Sequence, residues 1–483
     1  MLGNSTLVKF YFLESACYNT TKLESESQNR QEGKTQMTDT DWSKLTPEEK
    51  KAERFKRWLE APGVEFISLE AKQAYQERVR RLQDALLMKE PDRVPVSAMG
   101  GNYALYYGGT TLHEAMYDPD TLCQAWMKFF HDFNDISDTF GGPGIYSAKV
   151  FEAIDYKLYK WPGHGLGKDV TMFQFVEDEY MSEDEYDDFL RDPSDFALRS
   201  FIPRVVGALS PLMKLVPFNS IMGMGSAVGF VAPYAQPDVQ EALQAMINAS
   251  TEMMKWGEKV GACHRQIQAA GFPGIPSASA LAPFDSIADI LRGTSGTSKD
   301  MYRQPDKLHE AMERISDITI REAIKTANAM GAVAIGMPLH KGDDVFMSDK
   351  QFETFYWPTL KKLFTAFIEE GLIVRPVAEG KYERRLEAIQ DIPKGWVHWM
   401  FDETDMTRAK KAVGHLSCIS GIIPHSLMRL GTFEEIKEYT RKMVEVCAEG
   451  GGFILNGGGV PEGGDPEKLR IFMQVAEEYG RYR

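Results

Sequence analysis

The sequence predicts an α/β chain: a TIM-like (β/α)8 barrel, preceded by a helical extension and interrupted by a long insertion between strands 2 and 3. Three observations carry this. From Pro91 onward, short apolar runs alternate with helical segments, the rhythm of parallel strands joined by crossover helices. The candidate strands number eight, the count that closes such a barrel. The length of 483 residues exceeds an ordinary domain yet suits a barrel with insertions.

Residues 14–36 are rich in Ser, Gln, Glu and Lys and poor in apolar residues, so 1–36 is expected to be a disordered N-terminal extension. Met37 opens more regular text, and 37–88 reads as helices packed on the barrel. Thr46-Pro47-Glu48-Glu49 supplies an N-cap, a proline at the first helical position and acids in the first turn. That helix runs to Ala61, where Pro62-Gly63 ends it. A second spans Ser68 to Met88, with Leu82 and Leu86 on one face. The barrel then occupies 89–483. Its strand candidates are Arg93–Met99, Ile136–Phe140, Gly274–Leu281, Ala332–Leu339, Leu372–Ala378, Trp396–Phe401, His415–Ile419 and Gly452–Asn456. Helices over Asp349–Glu370, Thr404–Ala412, Thr432–Ala448 and Pro466–Tyr479 connect or follow the last of these. The stretch Gly141–Pro237 is too long for a simple βα loop; with its aromatic, acidic piece Phe173–Leu190 it reads as an insertion over the active-site rim.

Composition narrows the partners. The formal charge is -15 and no long basic stretch occurs, which excludes the clustered cations that a nucleic acid requires. The five cysteines (Cys17, Cys123, Cys263, Cys418, Cys447) are odd in number and lack CxxC spacing, as expected in a reducing compartment. No apolar run approaches the roughly 18 residues of a membrane span, and Leu2–Leu13, broken by Lys9, lacks a signal-peptide cleavage pattern. The expectation is a cytoplasmic enzyme of small molecules, with neither nucleic acid nor membrane as partner.

Active sites of such barrels lie at the C-terminal ends of the strands. The text after the fourth strand, MPLHKGDD, offers His340; the fifth ends in VAEGKYERR, with Glu379, Lys381 and Arg384; the sixth in WMFDETD, with Asp402. Asn102 and Tyr103 follow the first strand and Asn456 the eighth. Glu379, His340 and Asp402 are the candidate catalytic set, because ends of neighbouring parallel strands lie about 5 Å apart and can converge on one ligand. A carboxyl buried among other acids has its pKa raised and suits a proton donor. Asn102, Tyr103, Lys381, Arg384 and Asn456 are candidate substrate-binding residues. If a metal binds, His340, Glu379 and Cys418 are its candidate ligands, a mixed set that favours zinc. Each has a plainer alternative. His340 can be a hydrogen-bonded rim residue, Glu379 a partner of Lys381 or Arg384, Cys418 an inert buried hydrophobe, and Asp402 with Asp405 a helix cap. The run Gly457–Gly459 has no phosphate-loop spacing and reads as close backbone approach to a bulky ligand.

Several phrases, in order, resemble one family. RLQDALLMKEPDRVPV (Arg81–Val96), APFDSIADILRG with MYRQPDKLHEAMERISDITI, MSDKQFETFYWPTLKKLFTAFIEEG, and the closing text from CISGIIPHSLMRLGTFEEIKEYT to AEEYGRY are similar to segments of the uroporphyrinogen decarboxylase superfamily. Together they cover roughly residues 78–483. The resemblance implies the barrel and two activities, tetrapyrrole decarboxylation or corrinoid-dependent methyl transfer. The decarboxylases carry an arginine-rich RQAGRY text after the first strand, where this chain has SAMGGNYALYYGG without arginine, and a substrate with eight carboxylates needs guanidinium partners. Relatives that activate a thiol carry HxC after the fifth strand and a cysteine at the eighth; this chain has Val377-Ala378-Glu379-Gly380 and LNGGG. What remains resembles relatives that pass a methyl group from a small methylated substrate to a corrinoid (cobalamin) carried by a partner protein. A decarboxylase of the lyase class, or a non-catalytic tetrapyrrole-binding barrel, is the alternative. The resemblance also implies a homodimer.

Overall fold

The computed structural model describes residues 42–98, 101–456 and 463–482. The expected disorder of 1–36, Cys17 and the run Gly457–Gly459 therefore lie outside the described residues.

The first helix, Pro47–Glu60, begins where its sequence places the cap: Thr46 Oγ1 accepts the Glu49 N–H at 3.3 Å and the Glu49 carboxylate accepts the Thr46 N–H at 2.8 Å. It ends on Ala61 in the left-handed region, before Pro62. The second, Leu69–Leu86, is capped by Ser68. Phe55 and Trp58 of the first and Tyr75, Val79 and Leu82 of the second bury into the same core cluster as the strands and the last helix. Arg54 fastens the first helix to the main body, donating to Ala332 O at 2.9 Å and Glu370 O at 3.1 Å.

A strand occurs in each of the eight expected runs, shortened at one or both ends, though the seventh also runs two residues past its expected end. Two belong to the first part of the chain, β1 (Val96–Ala98) and β2 (Thr139–Phe140). Within the insertion lie β3 (Tyr159–Pro162), β4 (Gly165–Leu166) and β5 (Gln174–Phe175), a small separate sheet that the sequence pattern does not show. Then follow β6 (Ser277–Ser279), β7 (Ala334–Leu339), β8 (Ile373–Ala378), β9 (His398–Phe401), β10 (Cys418–Gly421) and β11 (Leu455–Asn456). Parallel ladders give the orders β11-β1-β2 and β10-β9-β8-β7-β6, and bridges Ile419–Phe453 and Ile422–Asn456 link β10 to the β11 segment. The fold is thus mixed α/β, helix-rich, with eight parallel strands running from β2 through β1, β11 and β10 to β6. Between β2 and β6 the described residues form no ladder; a side chain crosses instead, Thr139 Oγ1 to Pro273 O at 2.6 Å. Pro273 and Pro276 on the β6 side have no N–H to donate, which explains the missing ladder.

Two departures from the expected elements matter for the site. The helix expected over Asp349–Glu370 is a short start (Asp349–Gln351), a π turn (Phe352–Tyr356) and a helix (Trp357–Glu369), because Pro358 cannot donate to the turn before it. The strand expected over His415–Ile419 runs instead from Cys418 to Gly421, three residues later at its start.

Candidate functional site

The site begins with register. Leu339 of β7 pairs with Ala378 of β8, and Ala378 with Phe401 of β9, so three strands end level. The residue after each end is His340, Glu379 and Asp402, which places the three candidate catalytic residues on one rim. His340 and Glu379 meet, with Nε2 3.4 Å from Oε1. Asp402 stands beside them, its Oδ2 accepting the Gly380 N–H at 3.3 Å.

The segment after β6 supplies what the sequence reading missed. Asp289, in a π turn spanning Ser286–Leu291, accepts from His340 Nδ1 at 2.5 Å, and its other oxygen lies 3.2 Å from Lys341 Nζ. Asp285, fully buried, holds the backbone of the same loop: it accepts the His340 N–H at 2.9 Å, the Lys341 N–H at 3.1 Å and the Tyr356 hydroxyl at 2.8 Å. Both acids sit in the phrase APFDSIADILRG, four residues apart, a spacing that puts two side chains on one helical face and was the available signal. On the far side of the loop, buried Arg385 donates to Gly342 O at 3.0 Å, Asp343 O at 2.9 Å and Met347 O, and pairs with Asp349 at 2.5 Å. Gly342 is required there, because a Cβ would come within 2.6 Å of the Tyr382 hydroxyl and 2.7 Å of the Tyr356 ring.

Electrostatics follow from this packing. Burial opposes a charge on His340, but Asp289 and Glu379 outweigh it and hold the imidazole's pKa well above that of an ordinary histidine. Asp289 is the converse: burial pushes its pKa up, while His340 and Lys341 bring it below the usual carboxylate value. Burial first, then Asp289, push Asp285 up to about 7. Burial first, then Glu403 and Glu379, push Asp402 up to about 6. The site therefore holds a cationic imidazole between two carboxylates, with two further acids that titrate near neutrality.

His340 also lines a cavity of about 380 Å³. Its walls are otherwise apolar and aromatic, contributed largely by the insertion: Tyr146, Phe151, Tyr156, Tyr159, Trp161 and Phe173, with Leu281 and Pro338 from the strand ends. The rings support one another, Phe151 stacking on Tyr156 at 5.3 Å and Tyr159 meeting Phe173 edge-on at 5.7 Å. Burial, then Asp289 and Glu379, push the Tyr159 hydroxyl up to about 12, so it stays protonated. His340 Nε2 and Glu379 Oε1 are buried without a hydrogen bond. An unmet buried donor costs about 1–3 kcal/mol, a cost removed by a ligand that accepts from it.

The remaining candidates fall elsewhere. None of Asn102, Tyr103, Lys381, Arg384 and Asn456 lines this cavity. Asn102 donates to Thr171 O at 2.9 Å and holds the insertion, while Tyr103 packs against Phe129 in the core. Lys381 is exposed, and Arg384 pairs with Asp349 on the surface at 2.6 Å, because the buried guanidinium of that loop is Arg385. Asn456 is buried in β11 opposite Ser97 of β1. The proposed zinc ligands are not assembled. Cys418 starts β10, level with His398, whereas the rim lies at Gly421, level with Phe401. Three residues at about 3.3 Å each set the thiol roughly 10 Å down the strand, and burial pushes its pKa up, against a thiolate. Among the described residues no three His, Cys, Asp or Glu side chains gather as a metal site. His340 and Glu379 alone fall short of the three protein ligands of a catalytic zinc.

A parallel α/β sheet with an ionisable cluster and a cavity at its strand ends is the architecture of an enzyme acting on small molecules. The model of the uroporphyrinogen decarboxylase (URO-D) family matches residues 234–479, just over half of the chain, and the chain belongs to that family. In structure it is similar to a methyltransferase from Methanosarcina mazei, with a TM-score of 0.52 and 16% sequence identity over 83% of this chain and 98% of that one. No curated protein matches the sequence. Among the described residues no helix is long and apolar enough to cross a membrane.

Proposed function

We propose that this chain is a corrinoid-dependent methyltransferase, which takes a methyl group from a small methylated substrate held in the aromatic cavity and passes it to a corrinoid on a partner protein. On this reading the eight strands close as the (β/α)8 barrel of the family. The observation that carries the proposal is His340: a cationic imidazole that lines an apolar cavity, its Nε2 without a hydrogen bond and 3.4 Å from Glu379 Oε1. Loss of a methyl group leaves an electron pair on the departing oxygen or nitrogen, and a proton delivered there by Nε2 stabilises it. Asp289 fixes the ring through Nδ1 and, with Glu379, keeps it charged; Asp402 sits one strand away as an acid titrating near neutrality. The aromatic walls exclude water and position the substrate.

The corrinoid, when bound, supplies the nucleophile that accepts the methyl group. A cavity of about 380 Å³ is of a size for the small methyl donor, and on this reading the corrinoid is presented from outside by its carrier. Among the described residues no arginine lines the cavity, which disfavours decarboxylation of a tetrapyrrole with its many carboxylates. The test is methylation of reduced cobalamin, or of a corrinoid protein, followed by absorbance with a panel of O- and N-methylated donors. His340→Gln is expected to slow the reaction by about 10²-fold or more with the fold intact. No methylation with any donor, or an undiminished rate in the variant, would refute the reading.

A further inference from the structure

A second cavity, of about 350 Å³, lies at the opposite end of β6 and β7 from the rim. Residues 274–277, which lead into β6, and Met330 with Gly331, which precede β7, form part of its wall. None of its residues lines the cavity at His340, and β7, roughly 20 Å long at about 3.3 Å per residue, separates the two. Two arginines line it, Arg57 and Arg265, and no Asp or Glu does. In a chain with 70 acids to 55 Lys and Arg, such a wall runs against the composition. Both arginines are exposed, and among the described residues neither has an ion pair or a side-chain hydrogen bond, so neither serves as a helix cap. Trp58, only 4% exposed, carries an indole N–H without a hydrogen bond. His264 adds no charge, because burial pushes its pKa down to about 4. Space remains beside Gly63 and Gly274, where a Cβ would meet nothing within 4 Å.

A guanidinium without an acidic partner is the group that recognises a carboxylate or a phosphate. We propose that this cavity binds a small organic acid, its carboxylate held by Arg57 and Arg265 and its apolar body against Trp58, Tyr75, Phe140 and Phe272. Two like charges on one cavity repel, and an anion there removes that cost. A phosphate fits less well. The helices Pro47–Glu60, Pro237–Ala269 and Pro305–Met330 all end at this cavity and present their carbonyls, the negative end of the helix dipole. Phosphate sites use the N–H groups of a helix start instead, and the carbonyl ends oppose one negative charge less than two. Inorganic phosphate would also leave the aromatic wall without a partner. Arg57 and Trp58 lie outside residues 234–479 matched by the family model, so the site draws on this chain's own N-terminal helix.

The imidazolium of His340 is the other place for an anion beside a cavity, so the test is isothermal titration of the full chain carrying His340→Gln. At low salt this chain is expected to bind benzoate and not benzamide, its neutral counterpart. Adding Arg57→Gln and Arg265→Gln is expected to weaken benzoate about tenfold or more, with an unchanged circular dichroism spectrum, since both side chains are exposed. Should that pair misfold, Gly274→Leu serves instead: it fills part of the cavity, keeps both charges, and is expected to weaken benzoate as much. No binding of benzoate, equal binding of benzamide, or an affinity that survives these substitutions overturns the proposal. So does inorganic phosphate binding more tightly than benzoate.

Discussion

His340 and Asp402 are two ionisable groups at the ends of β7 and β9, on either side of β8, whose surroundings act on them differently. His340 has a raised folded-state pKa, so its contribution to stability is complete below its unfolded value near 6.5 and is lost as the pH rises through the folded value. Asp289, with a lowered pKa, contributes above about pH 4 and loses that contribution on acidification. Their pair is therefore at full strength between about pH 4 and 6.5. Asp402 behaves in the opposite sense to a salt-bridged acid. Its folded value of about 6 lies above its ordinary one, so the folded chain binds the proton more tightly than the unfolded chain, and this contribution is lost as the pH rises from about 4 through 6. Asp402→Asn, which does not titrate, is expected to raise stability at pH 8 by about 1–2 kcal/mol and to leave it nearly unchanged at pH 4. Denaturant melts at the two pH values check this; equal differences at both would contradict it. The pairing of His340 with Glu379 was legible in the sequence, because both follow apolar runs that end level. Cys418 was misplaced for a related reason. The run His415–Ile419 was read as the strand, which put the thiol near its exit, and a shift to Cys418–Gly421 moved it to the entrance.

Among elements, the loops after β7 and β8 form one unit. Arg385, from the second loop, closes the first with a fork of donors to three carbonyls and one carboxylate, while its guanidinium lies 4.8 Å from the Phe352 ring. Lysine keeps the charge but not the planar fork. Arg385→Lys is expected to cost about 2–4 kcal/mol and to lower the proposed methyl transfer by displacing His340. Thermal unfolding and activity together check this, and a variant with wild-type stability would show the fork to be dispensable. This unit escaped the sequence reading because the spacing of VAEGKYERR does not say which arginine turns inward. The aromatic wall escaped for another reason. Tyr159 and Trp161 lie on a strand of four residues and Phe173 just before one of two, too short for any period to register, and Leu281, Pro338 and His340 in the same cavity lie more than a hundred residues away.

For the whole molecule, the chain's order of strands and its terminal helices were legible because each carries local signals: apolar runs of the right length, N-caps at Thr46, Asp405, Thr432 and Asp465, and prolines that end or start helices. How the first strand pair meets the rest was not, since that depends on two prolines whose effect appears only when β2 and β6 come side by side. Their junction has a dynamic consequence. Strands elsewhere are stitched by backbone bonds, while β2 and the segment before β6 meet through the Thr139–Pro273 side-chain hydrogen bond and the Phe140–Phe272 ring contact, beside a cavity of about 350 Å³. Such a seam is where local opening costs least. Amide hydrogen exchange is expected to be fastest, among the eight strands, in peptides covering 139–141 and 274–277, and slowest in those covering β7 and β8. Uniform protection across the eight strands would mean that the side-chain contacts hold as well as a ladder.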